Sequence, residues 1–235
     1  MNTADRLGLG AEECVAIVGG GGKSTILLTL AREARGSTKR VVLTTTTHLG
    51  SDQVTDPVVW SPDPFTVDAA LEPGHPLFVV TAQAGHKVKG ITAVDADRLV
   101  AGTGLDWLIV EADGARRMPF KAPAPHEPPI PGSASTVVVV VGIDAVGRPA
   151  AEAAHRPEIV AELTGTPPTD PLSVGDIGTV LLSEAGGLKN IPDGARVVMV
   201  VSKVDAATES VSRELATHLD AHPRVERVVS FERTT

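Results

Sequence analysis

Short, continuous apolar runs bounded by Gly, Pro or Asp recur along the chain at 14–18, 40–43, 77–80, 107–110, 137–141, 197–201 and 227–229. Runs of this length without polar alternation read as strands buried on both faces, as in a parallel sheet covered by helices. Between them lie segments with helical spacing at 23–35, 93–101, 158–163, 174–182 and 209–221; the first puts Ile26, Leu27, Leu30 and Ala31 on one side. Strand and helix therefore alternate, which predicts a doubly wound α/β sandwich of three layers with a mostly parallel central sheet. Proline breaks the pattern at 52–76 and at 119–131. The second stretch can be neither helix nor central strand, because each proline lacks an N–H, so it reads as a long, stiff loop of the kind that carries function.

Composition narrows the picture without changing it. A chain of 235 residues with 42% hydrophobic content can bury one substantial core, and 1–235 reads as a single domain without internal repeats. No apolar run approaches the roughly 20 residues of a membrane-crossing helix. The first ten residues also lack the basic stretch and apolar run of a secretory signal, so a cytoplasmic protein is expected. Cys14 is the sole cysteine and reads as a buried small side chain, since one cysteine makes neither an internal disulfide nor a cysteine-built metal site. A net charge of −8 argues against a nucleic-acid backbone as partner, whereas a nucleotide needs only local positive charge.

That local charge is found where the first strand ends. Gly19, Gly20, Gly21 and Gly22 lead into Lys23, Ser24, Thr25 and an amphipathic helix. Backbone N–H groups and the positive helix end thus converge on one spot suited to phosphates. Lys23 can reach the outer phosphates and the Ser24 hydroxyl can hold Mg²⁺. The full Walker A pattern would have a glycine at Ile17, and a second signature lysine, where such loops carry one, would stand at Val18. The loop instead looks like the compact glycine loop of metallochaperone and cofactor-insertion NTPases. A dinucleotide fold would need a glycine at Ser24 and an acid closing the second strand, which ends in Thr44-Thr45-Thr46-Thr47-His48.

Further groups are delivered to the same sheet edge. Thr46, Thr47 and His48 could line the phosphate site, or the threonines could simply favour a strand end. Leu108-Ile109-Val110-Glu111-Ala112-Asp113 resembles a Walker B segment, with Glu111 and Asp113 on one side if the strand continues through both. One acid can hold Mg²⁺ while the other orients or deprotonates an attacking group. Arg116 and Arg117 follow, able to meet a phosphate or an anionic substrate, or to form a solvated face. Late in the chain, Ser202-Lys203-Val204-Asp205 is a variant of the Asn-Lys-x-Asp guanine-reading motif. Asp205 could accept from guanine N1–H and its amine, with the Lys203 stem over the base, which favours GTP over ATP. The alternative is an ordinary turn with Asp205 near a helix start.

Taken together, Gly19–Thr25, the threonines with His48, Glu111-Ala112-Asp113-Gly114-Ala115, Lys121 with His126-Glu127-Pro128 and Pro131, Val141-Gly142-Ile143-Asp144-Ala145, His155-Arg156-Pro157-Glu158 and Ser202–Asp205 resemble the YqeC family in its order. The resemblance spans nearly the whole chain. It implies an accessory factor for selenium-dependent molybdenum hydroxylases, with a selenium- or molybdenum-cofactor species and a client hydroxylase as partners; analogy with cofactor-insertion NTPases adds a homodimer. No residue pattern shows selenium or molybdenum chemistry, and His126, Glu127, His155 and Glu158 lack a tight ligand spacing. His126 and Glu127, with Lys121, read as a substrate wall near the outer phosphate, and His155–Glu158 as a cap on the next helix. The expected protein is a Mg²⁺-dependent NTPase. Its rivals are a small-molecule kinase on the same fold and a nucleotide-gated binding module with little turnover.

Overall fold

A computed structural model describes residues 1–55 and 57–233. A short helix α1 (Thr3–Leu7) precedes β1 (Glu13–Gly19), the glycine loop and α2 (Lys23–Ala34). Then come β2 (Val41–Thr45), β3 (His48–Gly50), β4 (Val58–Val59), α3 (Pro64–Ala70), β5 (Leu77–Val79), β6 (Ala82–Ala84) and β7 (Lys87–Lys89). The middle of the chain forms α4 (Ala93–Gly102), β8 (Trp107–Glu111), β9 (Phe120–Lys121) and β10 (Thr136–Gly142). It ends with α5 (Ala150–Ala153), β11 (Ala154–His155), α6 (Pro157–Thr164), α7 (Val174–Leu181), β12 (Arg196–Val204), α8 (Glu209–Asp220) and β13 (Arg227–Glu232).

The main sheet has eight strands in the order β13-β12-β10-β1-β8-β2-β5-β4, and its pairings are parallel. Its strands are apolar throughout because both faces are covered. Val15 and Ile17 of β1 turn to a core shared with Leu7 of α1 and with Leu27 and Leu30 of α2. Their neighbours Cys14, Ala16 and Val18 turn the other way, to a core shared with Leu99 of α4, Val160 of α6, Ile177 of α7 and Leu215 of α8. The period of two along one strand thus divides the molecule into helix, sheet and helix layers. The result is the expected P-loop NTPase-like sandwich. Ile17, where a Walker A loop would carry glycine, is instead a fully buried sheet residue paired with Val138 and Glu111.

Each strand and helix read from the apolar pattern is present, with ends shifted by a few residues. The proline-rich stretches hold three of the short elements the pattern did not reveal, β4, α3 and β9. In 52–76, Pro64 occupies the first turn of α3, where a missing N–H is harmless, and β4 pairs only at the sheet edge. In 119–131, Phe120 and Lys121 form β9, which pairs with β11 outside the main sheet. A small antiparallel sheet, β3-β7-β6, rises beside the end of β2. The chain leaves β1 along one face of the sheet and reaches β8 from the other, so a crevice opens at the carboxyl ends of β1, β8 and β2.

Candidate functional site

The glycine loop is shaped by its own neighbours before any ligand is considered. Gly19, Gly21 and Gly22 have φ of +93°, +78° and +136°, a region that side chains rarely adopt. Gly20 has ordinary φ, but a Cβ there would lie 2.9 Å from Met118 O, Pro119 C and Phe120 N. The proline-rich loop therefore packs directly on the glycine loop, and Gly142 N donates to Pro119 O at 2.8 Å. From the other side the Ser202 hydroxyl donates to Gly21 O and, at 3.1 Å, to Val141 O. Serine thus braces the loop where an asparagine would in the guanine motif. Gly22 precedes α2 with no side-chain cap, leaving the first N–H groups of that helix for a ligand.

Two carboxylates converge on this loop, as the alternation at the end of β8 predicted. Glu111 accepts from the Ser24 hydroxyl at 2.6 Å, and burial raises its pKa despite the nearby Lys23 ammonium and the Ser24 bond. Its backbone oxygen is held by Thr45 Oγ1 at 2.7 Å and by Thr46 N at 3.1 Å. Thr46 Oγ1 is buried there with no hydrogen-bond partner among the described residues. Asp113 accepts from Gly19 N at 3.1 Å and meets Lys23 Nζ at 3.2 Å and Lys121 Nζ at 3.0 Å. Lys23, 5% exposed, also donates to Gly19 O at 2.7 Å.

From Asp113 a line of alternating charge runs outward. Lys121 Nζ meets Glu127 Oε2 at 2.8 Å, and that carboxylate meets Arg156 at 2.7 Å. Burial alone would raise the Glu127 pKa; the Lys121 and Arg156 cations outweigh it and hold the group at about 2. Lys121 and Glu127 are therefore mutual partners in the wall of the site. His126 points elsewhere: it is exposed and does not line the cleft. Most of the proline-rich loop lies inside the molecule, and within 119–127 only Pro125 and His126 are exposed.

A cleft of about 910 Å³ opens over this network, lined by Gly21–Thr25, Thr47, His48, Glu111, Glu127 and the Arg116–Arg117 turn. His155 and Arg156, read from the sequence as a helix cap, line it too. Arg156 does precede α6, but its guanidinium reaches Glu127, 29 positions away, and no local pattern announces such a pairing. Burial and the Arg156 and Lys121 cations lower the His155 pKa. His86 and Lys87, which no motif or spacing marks, reach the cleft from the β6–β7 hairpin. A second groove of about 430 Å³ shares Gly21, Gly22, Thr25 and Lys203 and continues past Ile26 and Phe231.

Asp205 lines neither cavity. Its Oδ1 accepts from Ala207 N and Thr208 N at 3.1 Å and from Thr208 Oγ1 at 2.9 Å, and its Oδ2 lies 3.3 Å from Arg233. Lys203 Nζ is 2.8 Å from Asp144. Among the described residues no group of three or more His, Cys, Asp or Glu is arranged to hold a metal. No helix among the described residues is long and apolar enough to cross a membrane.

The architecture and the glycine loop at the start of α2 place the molecule in the class of P-loop NTPase-like α/β sandwiches. Its residues 15–158 match the family model described as YqeC protein. The uncharacterized protein YqeC of Escherichia coli (strain K12) is 34% identical over 221 residues, covering 91% of this chain and 86% of that relative. The chain belongs to the YqeC family.

Proposed function

We propose that this chain is a Mg²⁺-dependent P-loop NTPase that serves the maturation of selenium-dependent molybdenum hydroxylases. The observation that carries the nucleotide reading is the Ser24–Glu111 hydrogen bond of 2.6 Å beneath the uncapped start of α2, beside a buried Lys23. A hydroxyl and a single carboxylate suit Mg²⁺, which takes oxygen donors and completes its shell with phosphates and water. Ser24 and Glu111 would hold the ion, which supplies charge neutralisation at the outer phosphates. The N–H groups of Gly21–Thr25 would cradle the phosphates, Gly20 N being held by Val140 O at 2.8 Å. Lys23, kept in place by Asp113, would bind the outermost one, and Thr47, which lines the cleft, would help position the attacking water. The role in hydroxylase maturation rests on the family resemblance.

The second groove is the proposed seat of the nucleoside, since it is continuous with the phosphate loop and lined by Ile26 and Phe231. The order Ser202-Lys203-Val204-Asp205 favours guanine; reading it requires Asp205 to exchange its bonds to Thr208 for the base edge. Titration calorimetry with non-hydrolysable GTP and ATP analogues and Mg²⁺ tests both points. Lys23→Ala is expected to weaken nucleotide binding about a hundredfold, and Asp205→Asn to reduce a GTP preference about tenfold. Binding of neither analogue overturns the nucleotide reading, and equal affinities overturn the guanine assignment alone. A small-molecule kinase is the second reading, favoured by the extent of the larger cleft beyond Glu111.

A further inference from the structure

The larger cleft is cationic in an acidic protein. Six lysines and arginines line it against three carboxylates, in a chain with 21 basic and 29 acidic residues. Two of those carboxylates already have partners, Glu111 with Ser24 and Glu127 with Lys121 and Arg156. By contrast, the side chains of Lys87, Arg116 and Arg117 make no hydrogen bond or ion pair among the described residues. His48 and His86 stand beside them in the lining, also exposed. These five residues come from three separate segments: β3, the β6–β7 hairpin and the turn after β8.

The backbone supports the same reading independently. Arg116 and Arg117 have φ of +49° and +63°, consecutive left-handed conformations that disfavour branched or long side chains and that cluster at ligand sites. Asparagine or glycine would relieve that strain, yet arginine stands at both positions. Arginine forks recognise phosphate and carboxylate groups through paired hydrogen bonds. Unpaired cations gathered in one concavity also repel one another until an anion arrives.

We propose that this end of the cleft binds a second small molecule through a phosphate or carboxylate group, held by Arg116, Arg117 and Lys87 next to the outer phosphate of the nucleotide. The placement rests on the nucleotide reading above. With the nucleoside in the second groove, the phosphates run past Gly22 and Thr25 toward Ser24 and Glu111. The Arg116–Arg117 turn and the β6–β7 hairpin then lie beyond the last phosphate. Two cavities meeting at Gly21, Gly22, Thr25 and Lys203 thus divide the ligands, with the nucleotide crossing the junction and the anionic molecule at the far end.

The test is titration of the full chain with inorganic phosphate and with succinate, in the presence of a saturating non-hydrolysable nucleotide and Mg²⁺. The comparison protein is R116N/R117N, whose asparagines tolerate left-handed backbone and preserve the fold. Wild type is expected to bind one of the two probes alongside the nucleotide. The variant should bind that probe about tenfold more weakly and the nucleotide within about twofold of wild type. Phosphate binding with succinate inert identifies a phosphorylated ligand, and the reverse a carboxylate. If the variant loses nucleotide affinity instead, or the probe binds only by displacing the nucleotide, these arginines serve the nucleotide and the second site is overturned. No probe binding with or without nucleotide overturns it as well. If the protein binds no nucleotide, the reading above fails by itself. Probe binding to the free protein that R116N/R117N weakens would then still support the anion site.

Discussion

Glu111 combines the main conflict of the site in one side chain. It is buried, it accepts from Ser24, and burial raises its pKa. A group shifted upward contributes most to stability below its ordinary value of 4.5 and loses that contribution as pH rises through the raised value. At neutral pH its ionised form is therefore held at a cost that the Lys23 ammonium only partly offsets. Glu111→Gln keeps an acceptor for Ser24 and removes the buried charge. It should raise stability at neutral pH by about 1 kcal/mol, with a smaller advantage in acid, while the dependence of nucleotide affinity on Mg²⁺ disappears. Thermal unfolding at several pH values and titrations with and without Mg²⁺ check this. A lowered midpoint at neutral pH would show that the carboxylate stabilises the fold.

At the scale of elements, the proline-rich loop is an internal support. Its backbone at 118–120 closes on Gly20, and its Lys121 and Glu127 join Asp113 to Arg156 at the start of α6. The glycine loop, β9 and α6 are thereby tied by alternating charges. Glu127, held at about 2, contributes stability above the ordinary value of 4.5. As pH falls below that value the unfolded chain takes up the proton first, and the contribution is lost on the way to pH 2. Glu127→Gln should therefore unfold at a lower temperature than wild type near neutral pH, and the two midpoints should converge as acid is added. Parallel curves across that range would mean that the carboxylate adds nothing through its charge.

At the scale of the molecule, the parallel sheet brings the ends of β1, β8 and β2 together and packs separate cores on its two faces. Strands shared by both cores couple them, so calorimetry should show one cooperative transition. Mg²⁺-nucleotide at about a hundredfold over its dissociation constant should add about 2.7 kcal/mol. For a chain of this size that raises the midpoint by roughly 5–10 °C, and Lys23→Ala should abolish the rise. Two resolved transitions would instead indicate domains that unfold separately.

The strand and helix alternation, the glycine loop before α2 and the carboxylates at the end of β8 were legible in the amino-acid order, because each depends on periodicity or spacing within a few residues. Apolar runs such as 137–141 had to be strands covered on both faces, and four glycines before a helical pattern had to be a tight turn into that helix. What the chemistry-bearing residues touch was settled by packing across the sheet. It placed Lys121 between Asp113 and Glu127, joined Arg156 to Glu127, turned His126 outward and occupied Asp205 with Thr208. It also brought His48, Lys87 and the Arg116–Arg117 turn to one cleft. The physical reason is range: helix and strand signals repeat every two to four residues, whereas an ion pair or a cleft joins groups whose separation along the chain carries no period, and only the packed sheet sets their distance.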